Sequence, residues 1–298
     1  MREHDNVIES KWVTPGVVSG ALGVLAFSLS LPLTKVAVAE LDPVVVAAGR
    51  ALLAAMLAMG ALWRFDRRIP SASLLWRAGI VALGVVVGFP LLSSVAMQKL
   101  PAGHGAVLVA LSPLATAALG VLRGKERVPV AFWVAGVVGA GAVTTYALLR
   151  GGGQLVQEDL LVLLAVALVS VGYAEGGLLA RELGGWRTIA WALVVSVPVL
   201  VPVLVWRLHA VGAHAGVWAW ASFVYLGAVS MFLGFVAYYR GLAHGGVARI
   251  SQLQLAQAPL TFCWSAVLLG EPITPGMMAV TGVVVASIGV GQRARLGR

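Results

Sequence analysis

The chain has 298 residues, of which 60% are hydrophobic and 11% are charged, and its mean hydropathy is +0.94. Soluble domains are ~45–50% apolar and ~25% charged, and a soluble fold of this length cannot bury so much apolar surface. The composition therefore excludes a water-soluble domain and predicts an integral membrane protein. The formal charge of +9 does not indicate a nucleic-acid partner, because the basic residues lie singly or in small groups between apolar runs.

Ten segments are apolar enough to cross a bilayer as helices, which takes about 20 residues each. They cover roughly residues 14–36, 43–63, 77–98, 103–122, 130–149, 159–180, 188–208, 217–239, 246–269 and 275–292. Helices are expected rather than strands, because the apolar runs are continuous and lipid offers the backbone no hydrogen-bond partners. The links between the segments are short and leave no room for a soluble domain.

The basic residues divide unequally between the two sides of this topology. One side takes Arg2, Lys11, Arg64, Arg67, Arg68, Arg77, Arg123, Lys125, Arg127, Arg181, Arg187, Arg240, Arg249, Arg293, Arg295 and Arg298. The other side takes Lys35, Lys99, Arg150 and Arg207. Because basic loops stay in the cytoplasm, the pattern predicts a multi-pass inner-membrane protein with both termini cytoplasmic.

The two halves of the chain carry related segments. The letters HGAV at 104–107 open a segment that contains Pro113, and HGGV at 244–247 open one that contains Pro259. Five segments per half is an odd number, so the second half must cross the membrane in the opposite orientation to the first. Inverted repeats of this kind are typical of secondary transporters, whose solute site lies near the midplane between the halves.

Three segments resemble the paired EamA repeats of the drug/metabolite transporter superfamily. They read GHGAVLVALSPLATAALGVLRGKERVP, GYAEGGLLARELGGW and GGVARISQLQLAQAPLTFCWSAVLLGEPIT. Within them, Pro113 and Pro259 match the family's mid-helix proline, and Glu126 and Glu271 match its acidic residue at the end of the fourth helix of each repeat.

The resemblance implies an all-helical carrier of ten helices around a central cavity. Its two inverted five-helix repeats are expected at residues 1–150 and 151–298. Similar proteins, including those of the YddG type, export amino acids and other metabolites. The chain is therefore expected to export a small organic metabolite, amino acids above all, by alternating access and without a cofactor or metal.

Two other functions stay open at this point. An integral-membrane enzyme acting on lipid would need paired carboxylates or a metal cluster at one interface, and the sequence shows no GxxxxGK[ST], HExxH or GxSxG motif. A channel or facilitator would need a continuous pore. The single cysteine, Cys263, excludes an intramolecular disulfide. The GxxxG pairs favour packing within the chain, so a monomer or weak homodimer is expected.

The ninth segment carries a polar stripe at helical spacing. Its members are Ser251, Gln254, Gln257, Thr261 and Trp264. Amide side chains facing lipid would leave donors and acceptors unpaired, so the stripe must face protein or a water-filled cavity. We expect it to line the substrate cavity, because uncharged amides suit a zwitterionic solute. The alternative is hydrogen bonding between helices.

The first and third segments add further candidates for substrate binding. Ser28, Pro32 and Lys35 share one helical face, and Pro32 frees a backbone carbonyl nearby. Lys35 either acts in the site or snorkels to water. On the third segment, Ser94 and Gln98 lie after a bend expected at Pro90.

Two charged residues fall inside the predicted segments. Arg50 lies about 10 Å into the second one and is expected to pair with Glu40 or Asp42 or to snorkel. Glu175 lies in the inner third of the sixth segment, where a carboxylate is a candidate proton-coupling group. Tyr173 lies about 200° around the helix from Glu175, and we expect Glu175 rather than Tyr173 to face the cavity. The alternative for Glu175 is an ion pair with Arg181 or another cytoplasmic arginine.

Overall fold

The computed structural model describes residues 15–124, 130–150 and 155–296, which are almost entirely helical. Within these residues the helices form ten rods, each overlapping one predicted segment. They are α1 Pro15–Val38, α2 Pro43–Phe65, α3 Ala72–Ala96, α4 Ala102–Arg123, α5 Val130–Arg150, α6 Gln157–Leu183, α7 Gly185–Val211, α8 Val217–Gly245, α9 247–269 and α10 Pro275–Leu296. Of the described helices, seven are long and apolar enough to cross a membrane, namely α1–α4 and α6–α8.

Four helices lose regular geometry just before a proline. The two α-helical pieces of α1 meet at Leu29, three residues before Pro32. In α4 the first α-helical piece ends at Val109 and the second begins at Ser112, beside Pro113. A π-helical stretch, Ala82–Gly88, precedes Pro90 in α3, and a 3₁₀ stretch, Ser251–Ala256, precedes Pro259 in α9. Proline has no N–H, so the carbonyl four residues earlier loses its partner and the helix deforms there.

Two helices depart from this rule, since α7 stays α-helical through Pro198 and Pro202. Residues Tyr225–Gly234 of α8 form a π-helical stretch that contains no proline. Helices α3 and α8 are the third helix of each half, so the two halves place the same irregularity at the same position. Short π-helical turns often accompany functional sites, because they redirect side chains.

The helices pack in a reciprocal pattern. Helix α1 contacts α8 extensively and α3 contacts α6, while α2 packs on α7 and α4 on α9. Helices α5 and α10 pack mainly on each other. Every helix of the first half thus finds its main neighbours in the second half, and the two halves interdigitate rather than form separate bodies.

Buried apolar side chains form two large clusters. One includes Leu62, Ala78, Leu179 and Leu242, which lie where α2, α6 and α8 end and α3 begins. We call this the basic end of the bundle, because the arginines of those helix termini gather there. The second cluster lies toward the opposite end, where α2, α4, α6 and α8 begin.

Glycines permit the closest helix contacts. A β-carbon at Gly84 of α3 would lie 2.9 Å from the Gly172 amide nitrogen of α6 and closer still to the Leu168 carbonyl oxygen. One at Gly241 of α8 would lie 2.7 Å from the Gly20 amide nitrogen of α1. Gly84 and Gly20 belong to GxxxG pairs, and both serve packing within the chain, as expected.

Candidate functional site

A cavity lies in the middle of the bundle, where α1, α2, α3, α4, α6, α8 and α9 meet. The side chains around it are Phe27, Ser30, Arg50, Val85, Phe89, Pro90, Val109, Ser112, Val169, Tyr173, Ser230, Met231, Phe235 and Gln257. All five interrupted helices contribute to this wall. Discontinuous helices are typical of transporter sites, because their freed backbone groups and redirected side chains point inward.

The cavity is closed in this structure. Its volume is about 30 Å³, and a cavity needs roughly 10–15 Å³ on this measure to hold one water. The space therefore accepts a water molecule or two but not an amino acid. A solute of that size enters only when the surrounding helices move apart.

Arg50 is the only charged side chain among the described residues that line the cavity. It is 3% exposed, its Nη1 donates to the Thr34 hydroxyl at 3.4 Å, and its Nε has no partner. The expectation that Arg50 pairs with Glu40 or Asp42, or snorkels to the surface, is wrong. The side chain turns into the protein instead.

The two expected partners of Arg50 form other contacts at the beginning of α2. Asp42 accepts from the Val44 amide at 2.9 Å and from Arg207 at 2.6 Å. These bonds, that to Arg207 above all, hold the pKa of Asp42 below its usual value. Glu40 accepts from the Gly216 amide at 2.6 Å. Both carboxylates therefore stabilise the linkers between helices.

Uncharged polar groups complete the cavity wall. The hydroxyls of Ser30 on α1 and Ser230 on α8 hydrogen-bond each other at 2.7 Å, which ties the break of α1 to the π-helical stretch of α8. The Gln257 amide of α9 donates to the Phe27 carbonyl at 3.5 Å. Of the predicted site residues, Arg50 and Gln257 line the cavity.

The middle of the α9 stripe binds the break in α1. Pro32 leaves the Ser28 carbonyl without an amide partner, and the Thr261 hydroxyl donates to that carbonyl at 2.7 Å. The indole of Trp264 donates to the Ser28 hydroxyl at 3.0 Å. Ser28, Pro32, Thr261 and Trp264 thus lie together in an interhelical hydrogen-bond cluster beside the cavity, which matches the alternative of hydrogen bonding between helices.

The beginning of the α9 stripe is also buried. Ser251 has no exposed surface and Gln254 is 3% exposed. The Gln254 side chain lies near the Tyr173 hydroxyl, and its Oε1 has no partner. Tyr173 itself lines the cavity, so Gln254 lies directly behind the wall.

The remaining candidates lie toward the opposite end. The Lys35 ammonium donates to the Leu100 carbonyl at 2.7 Å and the Met97 carbonyl at 3.4 Å, where it caps the end of α3. Ser94 is fully buried and its hydroxyl has no partner, but it is not part of the cavity wall. Gln98 follows the end of α3 and is exposed, so its expected place in the substrate site is wrong.

Glu175 lies in an ion cluster at the basic end. Its Oε1 accepts from Arg77 of α3 at 2.5 Å and its Oε2 from Arg123 of α4 at 2.7 Å. Arg77 also pairs with Glu182. The expectation that Glu175 rather than Tyr173 faces the cavity is wrong, because Tyr173 lines the cavity. Both oxygens of Glu175 pair with guanidinium groups instead, so this carboxylate does not depend on water in the cavity.

Sequence reasoning missed the aromatic and hydroxyl residues of the wall. Phe27, Tyr173 and Phe235 form a ring cluster with centroids 4.8 Å apart for Phe27 and Phe235 and 5.9 Å for Tyr173 and Phe235. Ser230 is an isolated serine within a long apolar run, and Ser30 lies two residues after Ser28. A single serine is a weak signal, since its hydroxyl also satisfies its own helix backbone.

Two known proteins are similar to this chain in sequence. The first is an uncharacterized transporter, YdeK, of Bacillus subtilis (strain 168), 40% identical over 280 residues that cover 94% of this chain and 98% of the relative. The second is a probable terminal-alkyne amino-acid exporter of Streptantibioticus cattleyicolor, 27% identical over 78% of this chain and 76% of that protein.

A solved crystal structure shares the fold. It covers 95% of this chain and 99% of its own, with a TM-score of 0.68 at 17% identity. The EamA-like transporter family matches this chain twice, at residues 14–147 and 157–290. Together these two matches cover nearly the whole sequence and account for its internal repeat. The chain is therefore a multi-pass membrane protein that belongs to the EamA-like transporter family.

Proposed function

We propose that this protein exports small organic metabolites, amino acids first among them, across the cytoplasmic membrane by alternating access through the central cavity. The observation that carries the proposal is the small closed cavity at the point where seven helices meet, whose mainly apolar wall carries a buried arginine and several uncharged polar groups. A carrier exposes such a site to one side at a time, whereas a channel needs a continuous pore. The similarity to the probable amino-acid exporter of Streptantibioticus cattleyicolor supports amino acids as the solute class.

The proposal includes ten membrane spans in two inverted repeats, residues 1–150 and 151–298. The reciprocal packing supports it, because α1 on α8 and α6 on α3 are equivalent contacts under such symmetry. Helices α2, α4 and α5 each contact their own counterpart, α7, α9 and α10. The protein is a monomer or weak homodimer in the bilayer, with both termini cytoplasmic.

The basic end of the cavity is closed in two layers. The ring cluster of Phe27, Tyr173 and Phe235 forms the first, and Tyr238 packs behind it with its ring centroid 5.0 Å from that of Tyr173. The ion cluster around Glu175 forms the second layer and joins α3, α4 and α6. Opening toward the basic end requires both layers to separate.

The opposite end is closed by contacts at the beginning of α4. Glu271, at the end of α9, accepts from the Ala102 and Gly103 amides at 2.9 Å each, where a carboxylate suits the positive helix terminus. Buried His104 hydrogen-bonds buried Asp159 of α6 at 2.7 Å. These contacts join α4, α6 and α9, and their separation opens the cavity to the other side.

Counterflow in liposomes tests the proposal. Purified protein is reconstituted, the liposomes are loaded with one unlabelled amino acid, and uptake of its labelled form is followed for the apolar amino acids and for L-propargylglycine, which carries a terminal alkyne. We expect saturable uptake that depends on the internal amino acid. Flux that neither saturates nor needs internal solute would indicate a channel, and no flux above empty liposomes would contradict the proposal.

A matched pair of variants ties the flux to the cavity. Ser230→Leu places a larger side chain in the cavity and is expected to abolish counterflow. Ala221→Leu adds a similar volume on the same helix at an exposed residue, and it is expected to transport like the parent. Equal transport by both variants at equal membrane abundance would mean that the solute does not pass through the cavity.

A further inference from the structure

We propose that Arg50 binds the carboxylate of the transported solute, so that the cavity selects monocarboxylates with an apolar side chain and rejects cationic solutes. The inference rests on the proposed transport function and adds the substrate class and the residue that selects it.

The main observation is that the Arg50 guanidinium is buried without an anionic partner among the described residues. A guanidinium has five N–H donors and is costly to bury without an anionic partner. Yet among the described residues no carboxylate lies within ion-pair distance of Arg50, its one hydrogen bond, to Thr34, is 3.4 Å long, and Nε has no partner. Charge-assisted hydrogen bonds are normally about 2.7–2.9 Å. Arg50 is therefore a desolvated cation that no described side chain neutralises.

Other ion pairs of the protein show that this arrangement is specific. Arg77 and Arg123 share Glu175 at the basic end, and Arg207 pairs with Asp42 at the opposite end. Arg50 is more deeply buried than any of these arginines. An intramembrane charge that faces a cavity rather than a fixed partner is a candidate to bind the solute.

The rest of the wall defines the solute around the carboxylate. Ser30, Ser112 and Ser230 offer hydroxyls, and Gln257 offers an amide, which can bind carboxylate oxygens or an ammonium group. The described wall contains no acidic side chain, so the solute's amino group has no charged partner there. Phe27, Phe89, Phe235 and Met231, with the valines, suit an apolar side chain. A cationic side chain would meet Arg50 as a like charge.

The test compares matched ligands on the purified protein by thermal unfolding. The probes are L-leucine and L-phenylalanine, their carboxamides L-leucinamide and L-phenylalaninamide, and the amino-free acids 4-methylpentanoate and 3-phenylpropanoate. The leucine-related probes form one set and the phenylalanine-related probes form the other. The proposal predicts that, in at least one set, the amino acid and the amino-free acid raise Tm and the carboxamide does not. It is overturned if a carboxamide acts as well as its acid, or if no acid shifts Tm.

Variants separate binding from structure. Arg50→Gln is expected to weaken acid binding about 100-fold, which is within the range for losing one partner of a buried charge pair, and Arg50→Lys is expected to bind more weakly than the parent but better than Arg50→Gln. Arg64→Gln, at the exposed end of the same helix, is the control and should bind normally.

The ligand-free Tm of the variants gives an independent readout. Without ligand, Arg50→Gln is expected to unfold at a higher temperature than the parent, because it removes an unpaired buried charge. A purely structural Arg50 predicts a lower Tm and unchanged ligand shifts, and that result would overturn the inference. Saturable counterflow of other solutes would then still support the proposed transport function.

Discussion

The Ser28 carbonyl shows how one missing N–H shapes the centre of the protein. Pro32 removes the amide that would bind this carbonyl, and Thr261 replaces it from another helix. Thr261→Val is expected to lower the free energy of unfolding by about 1–2 kcal/mol, because the carbonyl is left buried and unpaired. Thr261→Ser keeps the hydroxyl and should cost less.

A second substitution checks this cause. Pro32→Ala restores an amide four residues after Ser28, so the double variant Pro32→Ala, Thr261→Val should lose less stability than the sum of the single variants. Denaturant unfolding in detergent measures all four proteins. Additive losses would mean that Thr261 stabilises the bundle through packing and not through the Ser28 carbonyl.

Glu175 is the residue at which proton coupling can be tested. We predict that Glu175→Gln keeps counterflow exchange but loses accumulation driven by a pH gradient, because glutamine cannot ionise. Both carboxylate oxygens bind arginines, so this role requires the ion cluster to open during transport. A Gln variant that responds to a pH gradient like the parent would leave Glu175 with a structural role.

The stability of the same variant measures that structural role. Replacing Glu175 leaves Arg77 and Arg123 close together without their shared anion, and a loss of about 1–3 kcal/mol is expected, below the ~3–5 kcal/mol of a fully buried pair because Arg123 is 57% exposed. Glu182→Gln is the control, since its side chain is 51% exposed and surface pairs contribute less than about 1 kcal/mol.

At the scale of the helices, close packing of α3 on α6 depends on glycine. Gly84→Ala is expected to destabilise the protein by about 1–3 kcal/mol, since the added methyl meets the backbone at Leu168 and Gly172. Gly60→Ala in α2 is the matched control. Nothing lies within 4 Å of that position, so alanine should stabilise the helix by about 0.5–1 kcal/mol. Thermal unfolding that ranks the two variants in the reverse order would contradict this packing.

The positions of the helices were largely predictable from sequence, their breaks only in part, and the orientation of single side chains was not. Pro90 indicated the bend in α3, but the π-helical stretch of α8 contains no proline and gave no comparable signal. Helical spacing correctly put Tyr173 and Glu175 on different faces. It could not tell which one lines the cavity, because α6 is buried on both faces and arginines from α3 and α4 reach Glu175.

At the scale of the whole molecule, the orientation in the membrane follows from the distribution of charge. We predict that alkaline phosphatase fused after Arg298 is inactive and that a fluorescent protein at the same point is bright, because sixteen basic residues favour that side. Phosphatase inserted at Gly212, between α7 and α8, should be active. An active fusion after Arg298 would overturn the orientation.

The central claim is that the closed cavity opens alternately to the two sides of the membrane. Its most direct test is the accessibility of a single cysteine, Ser230→Cys, in a Cys263→Ser background, since exposed Cys263 is the only native thiol. A membrane-impermeant thiol reagent should modify this cysteine in both right-side-out and inside-out vesicles, and a transported amino acid should slow both reactions. Modification from one side only, or from neither, would contradict the account.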